Sequence, residues 1–272
     1  MMPVHLTNAT PPACLVRAPR EGVPLRLFCF HHAGGGASFF ASWRDRVPPE
    51  VDVVPVQLPG RESRFRERRF RDAGRLAESL ERELAPWLDR PYAVYGHSMG
   101  ALVAFALVAA RMRGGGRPPR TLYVGAYGAP HLTPPLPPAD RYADADLARF
   151  LVDVGGLNPL FLGRDDWLGA LLPIIRDDLR ICASHRRAGL PDPDDEGAGL
   201  PLDIHAFAGQ DDPLVDPGAV RSWERYARRF RMSTVPGGHF FPREQPAPFF
   251  DVLNRSLAEL INEPGRQRAE PA

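Results

Sequence analysis

A serine occupies the centre of a G-x-S-x-G pattern at residues 96–100, with Ser98 as the central residue. This pattern is typical of a sharp turn between a strand and a helix that exposes a nucleophilic hydroxyl. Here an apolar run at 92–95 precedes the pattern, and a long apolar stretch follows it. A helix that begins just after Ser98 would also direct free backbone N–H groups at a reacting carbonyl. The sequence therefore predicts covalent catalysis by Ser98.

One of the eight histidines must then act as a base, because a serine hydroxyl is a weak nucleophile until its proton is accepted. His239 is the best candidate. It follows two glycines in the stretch PGGHF, directly after the last strand-like run of the chain and before a final helical segment. Such a loop would bring an imidazole over the carboxyl edge of a sheet.

The acid that orients this histidine is expected in the loop AFAGQDDPLV at 206–215. The α/β-hydrolase fold carries its residues in the chain order Ser, acid, His, which this loop satisfies. In that fold the acid commonly lies three residues after the glycine that ends a strand. Asp212 fits this register, with Gly209 before it and Val215 after it. Asp211 fits less well and stays open as the alternative.

The stretch HHAGGG at 31–36 follows another apolar run. Consecutive histidines suggest a metal site, but no acidic or histidine partner lies nearby at ligand spacing, so no metal is expected. A phosphate cradle is weakly supported, since neither a Lys-Ser/Thr ending nor a G-x-G-x-x-G spacing is present. The better interpretation is an oxyanion hole, formed by the backbone N–H groups of Ala33 in this loop and of Met99 after the serine.

The elements that must position these residues alternate between strand-like and helical patterns. Leucines recur every fourth residue from Leu76 to Leu88, and residues 99–112 are apolar nearly all round, which predicts a buried helix. Alternation of this kind predicts an α/β fold with a mostly parallel central sheet and helices on both faces. The predicted strands are 25–30, 51–56, 92–95, 121–126, 203–207 and 232–235.

The alternation is interrupted at 133–199, which opens with a Pro-rich stretch and closes with an acidic, Gly- and Pro-rich one. Two helical stripes of leucines in between predict an inserted helical lid, although ordinary packing helices remain the alternative. We therefore expect a core in two parts, 1–132 and 200–272, around this lid. The first 20 and the last ten residues are expected to be loosely held.

Composition narrows the possible partners and location. Hydrophobic residues make up 44% and charged residues 25%, which fits a packed globular core, and the net charge of +1 gives no reason to expect nucleic-acid or membrane binding. No apolar run approaches 18 residues, and no secretory leader is evident. Three cysteines without a CxxC pair argue for a reducing compartment, so the cytoplasm is the expected location.

Together, several motifs resemble those of type II thioesterases, the free-standing editing enzymes of polyketide and non-ribosomal peptide synthesis. The resemblance runs from about Leu25 to Leu260 and is carried by HHAGGGASFF, VQLPGRESR, YGHSMGALVAF, AGQDDPLV and PGGHFF, in that order. His31 departs from the family, which more often has proline there. The segment 133–199 matches only loosely, with the stretch DDLR at 177–180 as its best anchor.

The resemblance implies an α/β-hydrolase fold with a mobile lid, and a triad of Ser98, Asp212 and His239. It also implies Ala33 and Met99 as oxyanion-hole residues. The implied substrate is an acyl group on the phosphopantetheine arm of an acyl or peptidyl carrier protein, and no cofactor is implied beyond that arm.

Three other functions use parts of the same pattern. An esterase or lipase on small esters would share the triad, and a chain-releasing thioesterase would share most motifs. Because the chain starts with its own Met and carries no carrier-like module, the free-standing form is favoured. A non-catalytic binding protein would normally have lost a triad residue.

The seven arginines at 61–75 form either a solvated face or a docking surface for acidic carrier proteins.

Overall fold

A computed structural model of the protein describes residues 10–134, 139–184, 190–191 and 202–263. Its centre is a six-stranded sheet in the order β2-β1-β3-β4-β5-β6, in which every neighbouring pair is parallel. The strands are β1 (Leu25–Phe30), β2 (Val51–Val56), β3 (Tyr92–His97), β4 (Leu122–Gly125), β5 (Leu202–Gly209) and β6 (Ala227–Val235). All six predicted strands are thus confirmed; β3, β5 and β6 are longer than predicted, and β4 is shorter.

Both faces of the sheet are covered by helices, as the alternation predicted. The helices are α1 (Ala73–Leu84), α2 (Met99–Arg113), α3 (Asp144–Asp153), α4 (Asp165–Ser184), α5 (Pro217–Arg221), α6 (Phe241–Glu244) and α7 (Pro246–Asn262). Side chains of β1 alternate between the faces, because successive residues of a strand point in opposite directions. Phe28 and Phe30 pack in the same apolar cluster as α1 and α2, whereas Leu25 and Leu27 pack in the cluster that contains α7.

The helix patterns have the predicted consequences. α1 buries Leu76, Leu80 and Leu84, and the side chain of Asp72 caps its first turn by accepting a hydrogen bond from the N–H of Arg75. α2 is buried along nearly its whole length, from Met99 to Ala109. A helix that is apolar all round needs such an environment, so α2 forms the centre of one layer.

Helices α3 and α4 lie between β4 and β5, where the sequence predicts the inserted lid. They contact each other through a small cluster formed by Leu147 of α3 and Leu172, Ile175 and Leu179 of α4. Further along α4, Ile181 and Cys182 belong to the main core instead. The boundaries at 133 and 199 stay predictions, and residue 199 lies outside the described residues.

The N-terminal segment corrects one expectation. Residues 10–20 are docked onto the core and are not a loose tail. Cys14 is fully buried, and its carbonyl accepts a hydrogen bond from the N–H of Gln57 at 2.8 Å. Arg17 and Arg20 both bind the carboxylate of Asp52, which is itself buried. Burial alone would raise the pKa of Asp52, but these hydrogen bonds outweigh it and hold the pKa below its ordinary value.

Within the part of the chain that the structure describes, none of the helices combines the length and the apolar character needed to cross a lipid bilayer.

Candidate functional site

Ser98 lies in a strained turn at the carboxyl end of the central strand β3. β3 ends at His97 and α2 begins at Met99, so Ser98 alone makes the turn. Its φ is 54° and its ψ is −124°, a backbone conformation that residues other than glycine rarely adopt. This geometry lifts the side chain above the sheet edge, as the G-x-S-x-G pattern predicts.

The turn requires close backbone contact with the neighbouring strand. A Cβ atom on Gly100 would lie only 2.1 Å from the carbonyl oxygen of Phe30, the last residue of β1. Any side chain at position 100 would therefore push α2 away from β1. Glycine at this position keeps Ser98 next to the loop that follows β1.

The structure brings Ser98, His239 and Asp212 into one hydrogen-bonded chain. The Ser98 hydroxyl lies 2.9 Å from His239 Nε2, and His239 Nδ1 lies 2.9 Å from Asp212 Oδ2. Because a carboxylate can only accept, Nδ1–H of His239 donates to Asp212, which leaves Nε2 of the neutral ring free to accept the Ser98 proton. The side chains of Asp212 and His239 are 1% and 3% exposed, so water competes little for these hydrogen bonds.

Asp212 is fixed by its own loop. Its Oδ1 accepts hydrogen bonds from the backbone N–H groups of Leu214 at 2.8 Å and Val215 at 3.2 Å. Asp211, the alternative acid, is exposed. Its backbone N–H donates to the carbonyl of Gly237, which ties the acid loop to the loop that carries His239.

His97 is a site residue that sequence reasoning missed. Its Nε2–H donates to the backbone carbonyl of His239 at 2.8 Å, and its Nδ1 accepts from the Tyr95 hydroxyl at 3.0 Å. Burial, and then the neighbouring His239, hold the pKa of His97 well below its usual range, so the ring stays neutral. A variable position inside the G-x-S-x-G pattern thus holds the backbone of His239. The only sign in the sequence that His97 belongs to the site was its position directly before Ser98.

The two predicted oxyanion-hole residues flank Ser98 on separate elements. Met99 is the first residue of α2, so its N–H has no carbonyl partner one turn earlier in the helix. Ala33 lines the same cavity as Ser98 and His239. The side chain of Met99 points elsewhere, since it packs in the core.

The loop after β1 is held by three side chains from other elements. Gln57 Oε1 accepts from the N–H of Ala37 at 3.0 Å, and Arg61 donates to the carbonyl of Gly35 at 3.3 Å. Asp178 of α4 accepts from the N–H of Gly34 at 2.8 Å. The stretches HHAGGGASFF and LPGRESR are therefore linked physically as well as by order in the chain.

His31 is fully buried and the adjacent His32 is half-buried. Burial is the main cause that lowers the pKa of His31 to about 3, and it also holds the pKa of His32 well below its usual range. The His32 ring packs edge-on against Phe39 and Phe240, with ring centroids 4.8 Å away in both cases. Among the described residues, no group of three or more His, Cys, Asp or Glu side chains is arranged to hold a metal ion.

Above Ser98 lies a narrow apolar cavity of about 70 Å³. Ser98, His239 and Ala33 form its floor, and α3 and α4 supply most of its walls. The apolar side chains that line it include Leu147, Phe150, Leu151, Val154, Leu171 and Ile175. The helices of the predicted lid therefore lie over Ser98 and shape the space beside its side chain.

The arginines at 61–75 are divided between structural and exposed positions. Arg61 and Arg64 are buried, the first paired with Asp178 and the second with Glu67 and Glu83. Arg69 and Arg71 both bind Asp177 of α4. The remaining three, Arg66, Arg68 and Arg75, are exposed. Only part of the predicted surface can therefore meet a partner.

Comparisons with known proteins agree with this geometry. The thioesterase domain family model matches residues 25–257. The chain is 32% identical over 239 residues to linear gramicidin dehydrogenase LgrE of Brevibacillus parabrevis, covering 86% of this chain and 88% of the relative. It is also 32% identical over 238 residues to gramicidin S biosynthesis protein GrsT of Aneurinibacillus migulanus, covering 87% and 90%. The solved RedJ thioesterase of the prodiginine pathway in Streptomyces coelicolor superposes with a TM-score of 0.78 at 36% identity, covering 95% and 96%.

The name of the first relative mentions a dehydrogenase, but the G-x-G-x-x-G dinucleotide fingerprint does not occur in this sequence. The parallel sheet agrees with the solved thioesterase, and the family model spans most of the chain. The chain therefore belongs to the thioesterase domain family and has an α/β-hydrolase fold.

Proposed function

We propose that this protein hydrolyses acyl thioesters from the phosphopantetheine arm of acyl or peptidyl carrier proteins, and so clears stalled or misprimed polyketide and non-ribosomal peptide synthases. The observation that carries the proposal is the hydrogen-bonded chain of Ser98, His239 and Asp212 beneath an apolar cavity. Its setting in a thioesterase domain, and the gramicidin S and prodiginine biosynthesis named for GrsT and RedJ, support this class of substrate.

The first half of the proposed reaction acylates the enzyme. His239 Nε2 accepts the Ser98 proton while the serine oxygen bonds to the thioester carbonyl carbon, and Asp212 stabilises the imidazolium that forms. The carbonyl oxygen gains negative charge, which the N–H groups of Ala33 and Met99 stabilise. The carbon–sulfur bond then breaks, and the departing pantetheine sulfur takes the proton from His239.

The second half releases the acid. Water donates a proton to His239 Nε2 while its oxygen attacks the acyl-enzyme carbonyl, and the same N–H groups stabilise the second oxyanion. Collapse of this intermediate returns the proton to Ser98 and frees the carboxylic acid. Water is the only co-reactant, so the proposed reaction needs no cofactor. A cytoplasmic location is part of the proposal and is supported by the three cysteines, which are buried and whose spacing offers no CxxC pair.

Replacement of the proposed nucleophile tests the mechanism directly. Ser98→Ala should fold normally and lower kcat by roughly 10⁴–10⁶-fold, since the remaining groups cannot form the acyl-enzyme. Hydrolysis of an acyl-coenzyme A thioester measures this loss, and circular dichroism checks the fold. A fluorophosphonate should label the wild type at Ser98, as located by peptide mass spectrometry. Labelling at another residue, or full activity in the variant, would contradict the assignment.

The adjacent acids provide a matched pair of variants. In Asp212→Asn the amide oxygen can still accept from Leu214 and Val215, so the loop should keep its shape. The amide NH₂ would then face His239 Nδ1 and force the proton onto Nε2, which removes the base and lowers kcat by about 10⁴-fold. Asp211→Asn, at an exposed position, should change kcat less than threefold. Steady-state kinetics at pH 7–8 compares the two, and a reversed order would mean that Asp211 is the acid.

Variants of two neighbouring leucines of α4 distinguish an effect on the shape of the cavity from an effect on helix packing. Leu171 lines the cavity, whereas Leu172 is 2% exposed and packs between α3 and α4. Leu171→Ala should raise the ratio of octanoyl to acetyl kcat/KM roughly tenfold, because it removes side-chain volume from the cavity wall. Leu172→Ala should leave that ratio unchanged and lower stability by about 2–5 kcal/mol. Equal ratios in both variants would show that α4 does not select acyl chains.

The proposed docking surface for the carrier protein consists of Arg66 and Arg68, next to the exposed Phe65. In the described part of the chain neither arginine forms an ion pair. Carrier proteins are acidic, so exposed arginines beside an apolar side chain suit their surface. Arg64 lies in the same arginine-rich stretch of the sequence. It is not part of the proposed docking surface, because it is buried in an ion pair with Glu67.

Charge reversal of this surface should lower kcat/KM for carrier-protein substrates and leave kcat/KM for coenzyme A substrates unchanged. We expect a higher kcat/KM for an acyl carrier protein than for the same acyl group on coenzyme A. Arg66→Glu/Arg68→Glu should remove much of that advantage, and so should high salt, which screens exposed charges beyond about 10 Å at 0.1 M ionic strength. Rates at 50 and 500 mM NaCl measure both effects.

The control for this experiment is Arg221→Glu/Arg255→Glu, which changes net charge equally at exposed positions on α5 and α7. It should retain the carrier advantage. Equal rates on carrier and coenzyme A at both salt concentrations would refute the docking surface. Faster hydrolysis of simple esters than of either thioester would favour an esterase.

A further inference from the structure

Asp178 connects the lid helix α4 to the loop that carries Ala33. It is fully buried, and it forms a two-pronged ion pair with Arg61, in which Nη1 donates to Oδ2 at 2.6 Å and Nη2 to Oδ1 at 2.8 Å. The same Oδ2 accepts the backbone N–H of Gly34 at 2.8 Å. Arg61 is only 6% exposed, so both charges depend on each other for compensation.

The hydrogen bond to Gly34 fixes one particular peptide unit. Residues 32–35 form a turn closed by the N–H of Gly35 donating to the carbonyl of His32 at 3.1 Å. Gly34, at the third position, has a φ of +76°, as in a type II turn. Its N–H belongs to the central peptide of the turn, the one between Ala33 and Gly34. In a type I turn this peptide points in the opposite direction. The hydrogen bond therefore fixes the orientation of the peptide between Ala33 and Gly34, and it ties the turn that contains Ala33 to α4.

We propose that Asp178, held by Arg61, is a positioning residue for the oxyanion hole: it keeps the turn at 32–35 in the form that directs the Ala33 N–H at the reacting carbonyl oxygen. This inference rests on the proposed function, because it assumes that Ala33 donates to the oxyanion. It assigns a role in catalysis to α4, whose other side chains shape the cavity.

The part of α4 that carries Asp178 is anchored to the core and can therefore hold the turn. Asp177 binds Arg69 and Arg71, and the Ser184 hydroxyl accepts the N–H of Ala73 at the start of α1. Pro173 lies one turn earlier, inside the helix, where it lacks the N–H that would continue the hydrogen-bond ladder. Pro173 therefore interrupts the hydrogen-bond ladder between the first turns of α4 and the anchored part that carries Asp178.

The competing interpretation is that the Arg61–Asp178 pair only stabilises the fold, and a double variant distinguishes the two. Asp178→Leu and Arg61→Met each leave one buried group uncompensated, so both should lower the melting temperature. Arg61→Met/Asp178→Leu replaces the pair by apolar side chains and should recover much of that loss. It still removes the acceptor for the Gly34 N–H.

If Asp178 positions the oxyanion hole, kcat should stay low in the double variant even though its melting temperature recovers. All three variants should lower kcat on an acyl-coenzyme A by roughly 10–100-fold, with KM within about twofold, since the loss falls on the transition state. An alkyl trifluoromethyl ketone, which binds as an oxyanion adduct of the serine, should lose affinity by the same factor. The matched control is Asp52→Leu, which removes another buried carboxylate that two arginines bind, Arg17 and Arg20, and should lower the melting temperature while kcat and ketone affinity stay unchanged.

Recovery of kcat together with the melting temperature in the double variant would overturn the inference, as would unchanged ketone affinity in Asp178→Leu. Should the double variant not fold, Asp178→Leu alone decides, measured below its melting temperature. If the wild type neither hydrolyses thioesters nor binds the ketone, the proposed function fails. A normal wild type with fully active Asp178 variants refutes only the role of Asp178.

Discussion

The contact between Gly100 and the carbonyl of Phe30 is the constraint on which the rest of the site depends. Because no Cβ fits there, α2 can start directly beside the end of β1, and Ser98 is held in its strained turn between them. The same contact fixes the distance from Ser98 to the loop after β1, where Ala33 lies. The proposed nucleophile and both proposed oxyanion donors thus lie at one backbone junction, and side chains from other elements only refine its geometry.

Those side chains form a polar network with little access to water. His97 is neutral and holds the backbone of His239, Asp212 holds the imidazole, and Asp178 with Arg61 holds the turn at 32–35. Each hydrogen bond is stronger in such an environment than in water, and each unpaired group would be costly. The network therefore limits each group to one arrangement, which is the condition for stabilising charge during a reaction without reorganisation.

Local patterns in the sequence predicted the elements and the residues that lie together at their ends. Strand runs, the leucines of α1 and the order of Ser98, Asp212 and His239 are all features of short stretches, and parallel strands bring their carboxyl ends together. What the sequence could not provide was pairing over long distances. Arg61 meets Asp178 across 117 residues, and nothing near either residue indicates the other. The docking of residues 10–20 was missed for the same reason, since it depends on Asp52 of β2.

The helical repeat of α4 explains how one element can shape a cavity and hold a loop. Leu171, Ile175 and Leu179 are four residues apart and share the face that lines the cavity. Asp178 lies three residues after Ile175 and so borders that face, which places its carboxylate at the edge of the cavity, on the turn at 32–35. A Cβ on Gly34 would lie 2.6 Å from Ile175, so α4 contacts this turn directly. Substitutions before Pro173 can therefore alter the cavity for different acyl groups, whereas any shift of the helix beyond it would disturb the backbone beside Ser98.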